Sequence, residues 1–145
     1  MAQPTQNLAN HARYVPLYHF VLGAILAINL FVGGRALLRE LTAERLLAFA
    51  LGVGLLILFW YARAFSLAVQ DRVIRLEMRL RLERVLPPAQ FARFDEIGLR
   101  QVVALRFAGD AELPGLVAEV LEGKLTRPAD IKRRIQNWQA DWNRA

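Results

Sequence analysis

The chain has 145 residues, 55% of them hydrophobic and 22% charged, with a formal net charge of +6. A length of this order holds one compact unit, or a membrane segment plus a small domain, rather than several domains. The absence of cysteine excludes a disulfide framework, cysteine-ligated zinc, iron–sulfur clusters and a thiol nucleophile, and two His with one serine (Ser66) leave little for zinc, haem or hydrolase chemistry.

Charge is unevenly spread. Residues 1–70 carry five Arg against two Glu, residues 71–86 five Arg against three acids, and residues 87–145 nine basic against eight acidic side chains. The C-terminal part is close to neutral, which argues against a nucleic-acid module despite the basic total. The basic excess lies in and beside the hydrophobic region, where anionic lipid is its natural counterpart.

Two uncharged runs dominate the first half: Val15 to Gly34, and Leu46 to Ala62 followed by Arg63 and a further uncharged stretch to Gln70. Twenty helical residues rise about 30 Å, the thickness of a hydrocarbon core. The second run is near the lower limit for a span, and Arg63 can extend its guanidinium to the interface so that the helix uses the residues beyond it. Burial of both runs inside a soluble protein would need more surrounding chain than remains. A cleaved signal peptide would have a shorter apolar run and a small-x-small site after it. The expectation is a two-helix transmembrane hairpin, helices about 15–38 and 44–70, after an N-terminal tail 1–14.

Basic residues set the orientation. The connection holds Arg35, Arg39 and Arg45, whereas Arg13 and the larger group Arg63, Arg72, Arg75, Arg79, Arg81 and Arg84 lie on the other side. The excess places both termini in the cytoplasm. Tyr14 and Tyr18 before one helix, and Trp60 and Tyr61 late in the other, fall near the same interface. Gly23 with Ala27, Ala48 with Gly52 and Ala50 with Gly54 have the small-residue spacing that lets helices approach closely in lipid.

After Gln70 no Gly or Pro occurs until Pro87, so the second helix continues through a juxtamembrane extension, 71–86. This extension carries two apolar stripes: Val69, Val73, Leu76 and Leu80, and roughly opposite them Ile74, Met78, Leu82 and Val85. Arg72, Arg75 and Arg79 line up between them, with Glu83 placed to pair with Arg79. Two stripes need two partners. One is the chain's own C-terminal helices; the other is a second copy, another subunit or the membrane surface, unless one small bundle covers both.

Residues 87–145 read as a small cytoplasmic helical domain. Ala89 to Phe94 forms a short turn, DEIG a break, and Leu99 to Phe107 a helix with Leu99, Val102, Val103 and Arg106 on one side. Asp110 is placed to cap the next helix, with Pro114 in its first turn, Leu116, Val117, Val120 and Leu121 buried, and Gly123 as its stop. Thr126 is placed to cap the last helix, whose stripe is Ile131, Ile135, Trp138 and Trp142. Lys132, Arg133 and Arg134 read as a solvated face. No alternating strand pattern occurs, and the fold class is all-α.

Candidate chemistry is sparse. His19 is the ionisable residue inside the first span, where a neutral imidazole can ligate a haem or a chlorophyll-type pigment; bonding to a neighbour or lipid at the interface is the alternative. Otherwise no cofactor, metal ligand set or catalytic residue is expected. Asn29 lies on a different face from His19 and is placed to bond to the second helix. There is no glycine-rich phosphate loop, HExxH or nucleophile elbow, and no His follows the spans. Asp95, Glu96, Asp110 and Glu112 have no distinguishing context, so the expectation is a non-enzyme.

The stretches NHARYVPLYHF (Asn10 to Phe20), QDRVIRLEMRLRL (Gln70 to Leu82) and LRFAGDAELPGLV (Leu105 to Val117), with IKRRIQNW near the end, carry a resemblance. The chain resembles a family of small bacterial membrane proteins of unknown function over nearly its whole length. The resemblance implies a two-span hairpin with a cytoplasmic helical tail and supplies no reaction, ligand or catalytic residue. Its polar segments at the start of the first span and the end of the second would meet at one interface. They make His11, Arg13, Tyr14, His19, Arg63, Gln70, Asp71 and Arg72, with Arg75 and Arg79, a candidate cluster for lipid or partner contact. The functional expectation is an accessory or scaffold subunit of a larger bacterial inner-membrane assembly, such as a respiratory or photosynthetic complex. The alternative is a stand-alone membrane-tethered adaptor that recruits a soluble partner or senses anionic lipid.

Overall fold

A computed structural model describes residues 15–141, and these residues form two compact units, one up to Leu67 and one from Ala68 onward. Expected residues His11, Arg13, Tyr14 and Trp142 lie outside the described residues. The described residues are mainly helical and form no strand, as the patterning predicts.

The first unit is a hairpin. A π-helical turn, Leu17–Leu22, leads into α1, Gly23–Arg39, and α2 begins at Ala43 and runs to Val85. Leu17–Arg39 and Ala43–Val85 are both long and apolar enough to cross a membrane, and only 6% of each apolar window is buried. Arg45 closes the connection: its guanidinium donates to Ala36 O and Glu40 O, both at 3.3 Å, and pairs with the Glu40 carboxylate at 2.8 Å. A cation is favoured there because the last carbonyls of α1 have no intrahelical donor. Thr42 Oγ1 accepts from Arg45 N at 3.3 Å, capping α2.

The helices meet where a side chain is missing. A Cβ on Gly52 would sit 2.8 Å from Asn29 Oδ1 and 3.3 Å from Leu30 Cδ2, so glycine makes the room that Asn29 occupies. Asn29 thus faces the second helix, as its position predicts. Phe49 lies against Gly33 and Gly34, and Phe59 against Gly23. Gly54 has nothing near it, so the Ala50–Gly54 pair is not part of this contact.

The second unit is built around the later part of α2. Ile74, Met78, Leu82 and Leu86 are buried and join Phe94, Ile97, Val102, Leu105, Leu113, Val117 and Ile131 in one core. The juxtamembrane stretch is therefore a wall of the C-terminal domain rather than a separate segment. Around it stand α3 (Pro88–Phe91), a 3-10 turn at Phe94–Glu96, α4 (Leu99–Leu105), α5 (Leu113–Leu121) and α6 (Pro128–Arg134). Gly123 ends α5 with φ of +74°, the left-handed geometry in which a glycine stop is cheapest. Gln101 ties the pieces together: its side-chain oxygen accepts from Gly98 N at 2.8 Å, and its amide reaches Leu125 O and Thr126 O, both at 3.3 Å.

Three local expectations are corrected. The Asp110 carboxylate binds Arg81 Nε at 2.7 Å instead of capping α5, whose N-cap is Glu112. Arg127, not Thr126, precedes α6, with the Asp130 carboxylate accepting from its guanidinium at 2.8 and 3.2 Å. The last helix stops at Arg134 instead of carrying the Trp stripe. Ile135 is extended, and Trp138 forms an isolated bridge with Ala108. The cause is Glu112, whose carboxylate accepts backbone N–H groups from Gly109 (2.9 Å), Gln136 (3.0 Å) and Asn137 (3.2 Å). Gln139 N then donates to Phe107 O at 2.7 Å, and the Trp138 ring stacks on Phe107 at 4.7 Å.

Candidate functional site

The expected polar cluster divides between the units. In the hairpin, Tyr18 donates its hydroxyl to Phe59 O and stacks on the Phe59 ring at 4.5 Å. His19 Nδ1 lies 3.1 Å from Val15 N and 3.0 Å from Val15 O, so this nitrogen bonds to the first described residue in either tautomer. Arg63 is half-buried on α2. Gln70, Asp71, Arg72, Arg75 and Arg79 belong to the second unit.

The arginine row of α2 has more than one role. Arg75 donates to Ile97 O at 3.2 Å and to Asp95 at 3.3 Å, with its guanidinium 5.0 Å from the Phe94 ring centre. Arg79 lies 4.0 Å from the same Asp95, in place of the expected partner Glu83, and 5.8 Å from the Phe94 ring centre. Arg72 points outward and is exposed. The two apolar stripes also differ. Ile74, Met78 and Leu82 are 5%, 3% and 0% exposed, whereas Val69, Val73, Leu76 and Leu80 are 62%, 49%, 61% and 55% exposed. Among the described residues, no single bundle covers both stripes.

A polar groove of about 600 Å³ opens in the second unit, lined by Glu77, Arg81, Arg106, Asp110, Asn137 and Asp141 among others. Arg81 is a clamp. Besides Asp110, it donates to Arg106 O at 3.0 Å and Ala108 O at 2.7 Å, satisfying carbonyls just beyond the end of α4. Arg106 is 8% exposed, pairs through Nε with Asp141 at 3.0 Å, and lies over the Phe107 ring at 4.3 Å. Sequence reasoning missed this groove. Its one signal was Arg106 on the apolar side of its helix, where a charge must be paired if it is buried.

Fold and site together define an all-α protein with two helices long enough to cross a membrane and a compact helical domain held by arginine–carboxylate pairs and by side chains that bind the backbone. The whole chain, residues 1–145, matches a family of unknown function, DUF6526, and the chain belongs to that family. No curated protein and no solved structure matches it.

Proposed function

We propose that this chain is a non-enzymatic integral membrane protein, a scaffold or accessory subunit of a larger membrane assembly, with both termini in the cytoplasm. The carrying observation is that only 6% of each apolar window, in Leu17–Arg39 and in α2, is buried, far less than in the core helices of a soluble monomer. Lipid or other apolar helices are the environment that removes that cost. The scaffold role is supported by where the polar groups of the second unit go: Arg75, Arg81, Arg106 and Glu112 hold backbone carbonyls, amides and neighbouring carboxylates.

The test is extraction of the native protein in mild detergent followed by blue-native electrophoresis. The scaffold reading expects a large band with fixed stoichiometric partners. A small band of this chain alone contradicts it. The groove lined by Arg81, Arg106 and Asp110 favours the adaptor as second reading, in which a soluble partner or an anionic headgroup docks on the domain.

A further inference from the structure

We propose that α2 pairs in parallel with α2 of a second copy of this chain, through Val69, Val73, Leu76 and Leu80. The inference rests on the membrane reading above and names the first partner that the scaffold meets. The four side chains are 49% to 62% exposed, and their spacing of four, three and four residues gives alternating d and a places of a heptad. The opposite face of the helix is closed by its own domain through Ile74, Met78 and Leu82.

Charge placement selects a second copy. In a parallel pair, the g residue of one helix meets the e residue five positions further along the other. With Val73 and Leu80 at a, Arg72 falls at g and Glu77 at e, both exposed, so the attractive pair forms twice by symmetry. Glu83 takes the next d place and ends the apolar run, with Arg84 of the other copy at e beside it. The other g–e pair, Arg79 with Arg84, is of like charge. Arg79 is drawn toward its own Asp95 and Phe94, which reduces that repulsion.

Two heptads are too few to hold free helices together. Copies embedded in one bilayer with the same orientation are already parallel and confined to a plane, which raises their effective concentration. The same constraint disfavours an antiparallel pairing.

The absence of cysteine makes the test direct. Val73→Cys, Leu76→Cys, Leu80→Cys and the exposed control Arg100→Cys are made singly in the full chain and oxidised in membranes with copper-phenanthroline. The expected result is disulfide-linked dimer at all three stripe positions, in several-fold excess over Arg100→Cys. Adding Arg72→Glu to Leu76→Cys should lower the dimer fraction, and adding Glu77→Arg as well should restore it. Cross-linking at only one stripe position, equal cross-linking at the control, or no response to the charge reversals overturns the pairing. Alkaline carbonate washing of the same membranes separates the two failures. Release of the chain removes the membrane reading and this proposal with it, whereas retention with monomers only removes the pairing alone.

Discussion

Glu112 shows how much one carboxylate can decide. It accepts three backbone N–H groups from segments more than twenty residues apart, and hydrogen bonds to a charged acceptor are stronger than neutral ones. Glu112→Ala leaves those amides without their acceptor and should destabilise the domain by about 1–3 kcal/mol, read as a lower denaturation midpoint in detergent. An unchanged midpoint would mean that Glu112 does not hold these segments together. Asp130 gives a pH-dependent counterpart. Hydrogen bonds from Arg127, aided by its charge, hold the Asp130 carboxyl below its ordinary value of 3.8. Because folding lowers this value, its share of stability is complete above the ordinary range and is lost as pH falls through the lower folded value. A carboxyl titration by NMR should give a midpoint below 3.8 that drifts upward in high salt, since the pair is exposed. A midpoint at or above the ordinary value contradicts the contact.

The two apolar stripes of α2 have opposite fates. Leu82 is fully buried and Leu76 is 61% exposed, although both are leucines on the same helix. Leu82→Ala should therefore cost about 2–5 kcal/mol of domain stability, whereas Leu76→Ala in dilute detergent should stay within about 0.5 kcal/mol. Equal losses at the two positions would mean that the stripes are wrongly assigned. Both stripes were legible in the sequence because helical period is a local property. So were α5, its buried face and its glycine stop. The end of the last helix was not legible: Ile131, Ile135, Trp138 and Trp142 have helical spacing, but Glu112 and Phe107 draw the chain after Arg134 into extended structure. The groove escaped for a similar reason, since Arg81 and Asp110 are 29 residues apart and only the folded domain brings them together.

For the whole molecule, the pattern of apolar and basic residues and the exposed surface of both long helices point to the same arrangement. In the orientation proposed above, the positive excess beyond the second span, set against three arginines in the connection, would keep the helical domain in the cytoplasm and the connection outside. The cysteine-free chain allows a single topological experiment. Thr42→Cys in the connection and Arg100→Cys in the domain are each treated with a membrane-impermeant maleimide, before and after permeabilising the cells. Thr42→Cys should react in intact cells and Arg100→Cys only after permeabilisation. Equal labelling of the two in intact cells, or labelling of neither until the cells are opened, would contradict a chain that crosses the membrane twice with its domain inside.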